Sequence, residues 1–364
     1  MTTPGTPTPV RPFRADTGDA RTILVTGAAG EVGHGLLAAL QAAGHPVVAM
    51  DRREIDGAAA SGCLATAAGD VTDAAFMESL VREHGVGTII HLAALLSSSA
   101  ERDPELAHAV NVDATVSLLS IAARQGERIG RPVVVLHPSS IAAYGFPDRA
   151  TKDAAGTVGE DEHLEPITMY GCNKLACEHL GRYFARHYRQ LDPTPGRGRV
   201  DFRGIRYPGL ISGETVPTGG TSDYAPEMIH AAARGEPCTA FVDAEARIPF
   251  MTMGEAVEAT LGLLDAPAER LTRSVYNVAS FAPSAGEIRE AVLEHFPGAV
   301  IDFARDERRA PIVDSWPADI DCSSARRDWG FSPRHDLRSA LREELVPAIR
   351  RRYAATPEVA ADSH

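Results

Sequence analysis

The apolar run Ile23-Leu24-Val25 leads straight into Thr26-Gly27-Ala28-Ala29-Gly30-Glu31-Val32-Gly33. Three glycines at that spacing after a strand strongly restrict the fold. Gly27 suits the turn that ends the strand. Gly30 lets the backbone approach a ligand's phosphates, and Gly33 lets the next helix pack close to the sheet. The helix N-terminus then points unpaired N–H groups at a pyrophosphate. A glycine triplet alone is weak evidence, and a tight turn without a ligand is the alternative. The strand–turn–helix context carries the reading.

The rest of the first half repeats this alternation. Residues 22–25, 46–50, 88–92 and 133–137 read as strands, and 31–43, 73–84 and 104–126 as helices. Pro104 stands in a first helical turn, where its missing N–H costs nothing. Such βαβ spacing predicts an α/β fold, a Rossmann-type doubly wound parallel sheet. A helix over 169–189, a Pro/Gly-rich loop over 191–198 and a strand over 200–206 follow. Beyond Tyr207 the pattern loosens into a smaller, discontinuous C-terminal substrate lobe, with one clear helix near 254–265. The expected organisation is a disordered tail over 1–20, a dinucleotide-binding domain that takes in the 169–189 helix over 21–206, a smaller lobe interleaved with the sheet over 207–345, and a C-terminal tail over 346–364. The polar, acidic segment 146–166 reads as an inserted loop without chemistry.

Composition excludes several function classes. The 364 residues allow a large core, and the formal net charge of −13 argues against nucleic acid and anionic membranes as main partners. No apolar run reaches the roughly 18 residues that span a bilayer. Five scattered cysteines lie outside any metal spacing, so no metal is expected. They read as reduced thiols in a cytoplasmic protein.

About 140 residues beyond the glycines lies Tyr170-Gly171-Cys172-Asn173-Lys174, with Ser139-Ser140 upstream. Tyr170 and Lys174, spaced i, i+4, share one helix face. A phenol with a pKa near ~10 is a poor base at neutral pH. A neighbouring ammonium is expected to lower that value by stabilising the phenolate. Tyr170 is then the expected base for a substrate hydroxyl, with Ser140 holding the substrate oxygen. A surface tyrosine beside a solvated lysine is the alternative. The glycine triplet and the serine pair outweigh it. Together these features point to nicotinamide-dependent redox chemistry at a carbinol or carbonyl carbon.

Asp51 ends the second strand, 24 residues after Gly27, near the offset expected for a carboxylate on the adenosine ribose. It would repel a 2′-phosphate, which favours NAD over NADP, although Arg52 and Arg53 follow it. Asp70 and Val71 suit a place beside the adenine. The alternative for Asp70 is a helix N-cap for 73–84. The arginine-rich stretches 305–309 and 349–352 read as solvated faces, and His91 as a satisfied core histidine.

This constellation resembles the extended short-chain dehydrogenase/reductase superfamily over about residues 21–345. Its second half is most similar to the short-chain-type L-threonine 3-dehydrogenases. The resemblance rests on His91-Leu92-Ala93-Ala94-Leu95-Leu96-Ser97, Pro138-Ser139-Ser140-Ile141-Ala142 and Arg206-Tyr207-Pro208-Gly209-Leu210-Ile211-Ser212. The more specific matches are Gly219-Gly220-Thr221-Ser222-Asp223-Tyr224-Ala225, Arg247-Ile248-Pro249-Phe250-Met251 and Asp314-Ser315-Trp316-Pro317. Ser222 stands where that family has a second threonine, and the loops near 146–166 and 191–199 are longer than usual.

The resemblance implies NAD contacts at Gly27, Gly30, Glu31, Val32, Asp51, Asp70, Val71, Leu92, Ala93, Ala94, Asn111, Tyr170, Lys174 and Tyr207. It implies a substrate pocket at Ser97, Ser140, Thr221, Ser222 and Asp223. Asp223 suits a substrate ammonium and the hydroxyls a carboxylate. A helix N-cap before 224–234 is the alternative for Asp223, and a flexible polar loop for the run from Ser97. It further implies a homodimer through helices near 104–126 and 169–189, which carry Val110, Leu118, Leu119, Leu175 and Leu180. The expected reaction is oxidation of the L-threonine β-hydroxyl. The rivals are a sugar-nucleotide epimerase or dehydratase and a non-catalytic NAD-sensing regulator. The intact Ser140/Tyr170/Lys174 set argues against the regulator.

Overall fold

The computed structural model describes residues 21–354 except Asp56, 193–198, Thr218 and Gly219. The expected tail over 1–20, most of the 191–198 loop and the end of the C-terminal tail lie outside the described residues. In chain order the strands are β1 (Thr22–Thr26), β2 (Val47–Asp51), β3 (Ala65–Ala68), β4 (Val86–His91), β5 (Val133–Ser140), β6 (Thr157–Val158), β7 (Val200–Tyr207), β8 (Gly209–Ile211), β9 (Cys238–Ala240), β10 (Phe250–Thr252), β11 (Val275–Asn277), β12 (Ile301–Phe303) and β13 (Asp319–Ile320).

Seven of them form one parallel sheet in the order β11-β7-β5-β4-β1-β2-β3. β1 pairs with β2 on one side and β4 on the other, so the strand order reverses there. Ligands bind outside the carboxyl ends of strands at such a switch point. The central strands are apolar on both faces, because helices cover both. Leu24 packs with Met77, Leu80 and Leu118 on one side. Ile23 and Val25 pack with Leu36, Leu37 and Val257 on the other. β3, a short run of small residues, escapes a pattern search because it is an edge strand of alternating exposure.

The expected helix over 104–126 spans Pro104–Ile129, with a π-helical turn at Ala109–Asp113. Asp103 caps it by accepting from Leu106 N at 3.0 Å. By length and composition this helix could cross a membrane, yet 56% of its most apolar stretch is buried in the fold. Leu118 and Leu119, expected at a dimer surface, instead fill this chain's own core. Their side chains face the sheet rather than the solvent.

Two further expectations are corrected. Segment 146–166 contains a helix, Arg149–Ala155, and the strand β6, which pairs with β13. Lys152 anchors it from within, buried and donating to Val313 O at 3.1 Å. The supposed tail from 346 begins as the helix Val346–Ala354. Val346, Ala348 and Ile349 are buried, and Tyr353 Oη meets His230 Nδ1 at 2.8 Å. Three arginines in a row hid this apolar face. The C-terminal lobe is built from short parallel pairs, β8 with β10 and β9 with β12. The helices Tyr224–Arg234 and Ala285–His295 pack beside them.

Burial of the terminal helix has a measurable consequence. Ile349→Ala should lower stability by about 2–5 kcal/mol, the usual cost of truncating a buried isoleucine. Denaturant unfolding checks this. A change below about 0.5 kcal/mol, as at an exposed site, would restore the tail reading.

Candidate active site

Two loops meet at the switch point. Gly27, at the end of β1, has φ of +67°, the left-handed region that favours glycine. A Cβ there would stand 2.6 Å from Ala93 N, at the end of β4. A Cβ at Gly33 would stand 2.5 Å from the Ala28 carbonyl oxygen. Thr26 ties the two strand ends together, its Oγ1 lying 2.8 Å from His91 Nδ1. His91 is thus half satisfied. Its Nε2 has no hydrogen-bond partner, and burial lowers its pKa to about 3, so the ring is neutral. The glycines let these backbone segments close up on one another, and the helix that starts after Gly30 has no side-chain cap on its N-terminal N–H groups, so the turn suits a dinucleotide pyrophosphate.

Asp51 faces this loop. Its Oδ2 accepts from Ala29 N at 3.0 Å and its Oδ1 from Arg53 N at 3.0 Å. Arg53 reaches back to the Ala29 carbonyl at 2.7 Å. Asp70 accepts from both Thr72 N and Thr72 Oγ1 rather than capping a helix; the cap is Asp73. Val71 turns its side chain into the core. Leu92 N donates to Thr26 O at 3.1 Å, which fixes the start of the Leu92-Ala93-Ala94 loop.

Asn111 is buried beneath that loop. Its side chain accepts from Leu95 N at 2.8 Å and donates to Leu95 O at 3.0 Å. Its role here is to hold the loop, and the π-helical turn carries it there. Tyr207 is corrected in the same sense: its hydroxyl is bonded to Thr260 in the core, so only its backbone is left for a cofactor. Val32 packs partly against the core, whereas Glu31 bonds to Thr215 across the crevice. Burial pushes the Glu31 carboxyl up.

The expected catalytic set comes from β5 and the helix Met169–Arg186. Thr168 caps that helix by accepting from Gly171 N at 3.1 Å. A Cβ at Gly171 would overlap the Ala142 carbonyl oxygen, so glycine is what lets Tyr170 approach the turn after Ser140. Ser140 Oγ accepts from Ala142 N at 3.1 Å. That acceptor role leaves the hydroxyl hydrogen to donate to a substrate oxygen. Lys174 Nζ donates to Pro138 O at 2.6 Å and lies 5.4 Å from the Tyr170 ring centre.

The charge states differ from expectation. Burial holds the Tyr170 phenol above its ordinary value, where the ammonium was expected to lower it. Burial lowers Lys174 to about 8, against the raising effects of Cys177 and Glu178. Desolvation outweighs pairing here: Lys174 is buried and Tyr170 is half-buried against the core.

Of the residues expected at the substrate, Ser97, Thr221, Ser222 and Asp223 come together. Thr221 Oγ1 donates to Ser97 Oγ at 3.1 Å, so the run from Ser97 is the start of a helix rather than a free loop. Ser222 lies in the same turn. Asp223 occupies the N-cap position of Tyr224–Arg234 but does not cap it; its Oδ2 accepts from Gly220 N at 2.6 Å. Gly219 lies outside the described residues. Sequence reasoning missed Arg309, assigned to a solvated face. It stacks 3.5 Å over Phe241 and donates to Gly220 O at 2.9 Å. No local signal separates it from its arginine neighbours.

Replacing Lys174 tests the site. Lys174→Met should cut turnover by roughly 100-fold or more. Its folded-state pKa lies below the ordinary 10.5, so between about 8 and 10.5 the unfolded chain binds more protons. Stability contributed by this group therefore rises with pH across that window. Unfolding curves should show the wild type gaining on Lys174→Met from pH 8 upward. A constant difference would mean a solvated ammonium.

Known proteins resemble the chain over most of its length. The family model described as NAD dependent epimerase/dehydratase matches residues 23–279. An uncharacterized epimerase/dehydratase of Staphylococcus haemolyticus is 34% identical over 284 residues, covering 77% of this chain and 81% of that protein. The structure of L-threonine dehydrogenase from Clostridium difficile is 31% identical, with a TM-score of 0.80, covering 92% of this chain and 99% of that one. A monomeric L-threonine 3-dehydrogenase from a metagenome is 33% identical, with a TM-score of 0.78 over 91% of this chain and 99% of its own. The chain belongs to the NAD-dependent epimerase/dehydratase family, within the extended short-chain dehydrogenase/reductases, and NAD is its cofactor.

Proposed function

We propose that the protein oxidises the β-hydroxyl of L-threonine, or of a close β-hydroxy amino acid, to the 3-oxo acid. The observation that carries this reading is the bond between Thr221 and Ser97. It joins the lobe segment ending in Asp223 to the loop that borders Gly27 and Ala93. Asp223 would hold the substrate ammonium, while Thr221 and Ser222 offer hydroxyls to its carboxylate. The L-threonine dehydrogenase structures, alike over nine-tenths of the chain, support the same substrate class.

NAD bound at Gly27, Gly30 and Asp51 supplies a hydride acceptor. Ser140 donates a hydrogen bond to the substrate oxygen. Tyr170 takes the hydroxyl proton, and the Lys174 ammonium stabilises the phenolate against which burial works. L-threonine and NAD⁺ give 2-amino-3-oxobutanoate, NADH and a proton.

The test is NADH formation with NAD and a panel of β-hydroxy amino acids and nucleoside-diphosphate sugars. L-threonine should turn over. Asp223→Asn should lose about ten- to a hundredfold in kcat/KM, the worth of one charge-assisted hydrogen bond, with NAD affinity unchanged. An undiminished rate would remove Asp223 from the pocket. Turnover of a sugar nucleotide with none of L-threonine would replace the substrate reading by the epimerase one.

The reading extends to a homodimer through Pro104–Ile129 and Met169–Arg186. These helices expose Leu106 and Tyr183, at 47% and 40%, beside half-buried Val110, Leu175 and Leu180. Light scattering at micromolar concentration should give twice the chain's mass. A single-chain mass, as in the metagenomic relative described as monomeric, would remove the dimer.

A further inference from the structure

Beneath the reacting groups lies a buried ion pair with no role so far. Glu178 is on the catalytic helix, one turn beyond Lys174, and is fully buried. Arg206, on β7, is 1% exposed and grips it with a fork: Nε donates to Oε1 at 2.8 Å and Nη2 to Oε2 at 2.5 Å. Arg206 Nη1 donates to Glu160 O at 2.8 Å, and its guanidinium lies 4.7 Å from the Tyr144 ring centre. Ser139 Oγ donates to the same Glu178 Oε1 at 2.5 Å. Ser139 and Arg206 are register partners in neighbouring strands.

Two helix side chains, one turn apart, therefore grip two consecutive β5 residues. Lys174 holds Pro138 and Glu178 holds Ser139, and the next residue is Ser140. An ion pair this deep is weak evidence for stability, because desolvation offsets its attraction. Its placement suggests another use. We propose that the Glu178–Arg206 pair, with Ser139 hung on it, is the positioning device of the active site: it sets Ser140 against the catalytic helix and keeps a negative charge beside the Lys174 ammonium. The inference rests on Ser140, Tyr170 and Lys174 being the reacting set, and not on which alcohol is oxidised.

Other groups around Lys174 do not substitute for Glu178. His91 and His137 lie beneath it on β4 and β5, buried and neutral, and His137 has no partner at either ring nitrogen. Cys177, on the same helix, is a thiol whose pKa burial raises. Burial raises the Tyr170 phenol as well. Asn111, against the same helix, is uncharged. Among these groups Glu178 is the one carboxylate, and Cys177 is the other group that raises Lys174.

A property of the chain makes this measurable without a substrate. Lys152 and Lys174 are its only lysines. Protein labelled with ¹³C at lysine Cε should give two NMR signals, assigned with Lys174→Met. In Glu178→Gln the Lys174 midpoint, about 8 in the wild type, should move toward neutrality. In the same variant kcat should fall roughly 10–100-fold, with its alkaline limb moved to lower pH and NAD affinity unchanged. The double variant Glu178→Leu/Arg206→Met removes both buried charges and keeps the test open if the single variant does not fold. Should the pair serve folding alone, this double variant regains turnover with its fold. The proposal expects a folded protein with a lowered midpoint and depressed kcat. A Lys174 midpoint that stays in place, or full turnover in the double variant, overturns it. The titration decides even if L-threonine is not the substrate.

Discussion

Everything at the active site depends on backbone segments approaching closer than side chains permit. Gly27 lies against Ala93, and Gly171 lies against Ala142. The first contact draws the ends of β1 and β4 together where the strand order reverses. The second draws the helix bearing Tyr170 and Lys174 onto the turn that follows Ser140. Each contact joins parts of the chain far apart in sequence, and a single methyl group at either glycine would push them apart. Close packing makes such positions intolerant, because neighbouring backbone cannot yield.

Around these contacts the protein buries charge deliberately. Lys174, Glu178 and Arg206 are nearly inaccessible to water. Arg206 donates to three acceptors and Glu178 is held by three donors. Lys174 has one carbonyl, and burial brings its pKa down to about 8. A group poised near the working pH suits proton handling, whereas a fully satisfied pair suits rigidity. The two behaviours stand one helical turn apart.

Much of this was legible in the sequence. Gly27, Gly30, Gly33, Asp51, Ser140, Tyr170 and Lys174 all lie where their motifs implied. The parallel sheet and most of its strands follow from local periodicity. What was not legible had physical reasons. β3 is too short and too poor in large side chains to signal a strand. The helix Val346–Ala354 hides its apolar face behind three arginines. Asn111 and Tyr207 are in the right region but spend their side chains on Leu95 and Thr260. Arg309 is indistinguishable from its solvated neighbours until Phe241 and Gly220 are beside it.

The sequence alone determined the features set by neighbours along the chain: the strand–turn–helix around the glycines, the shared helix face of Tyr170 and Lys174, and the alternation that makes a parallel sheet. Their periods and propensities act over a few residues. Only the tertiary structure decided which distant groups meet and in what charge state. Ser97 finds Thr221 across 124 positions, and Glu178 finds Arg206 across 28. The ammonium expected to lower the Tyr170 phenol does not do so, because burial acts on both groups at once. Desolvation is a property of everything packed around an atom, and no motif contains it.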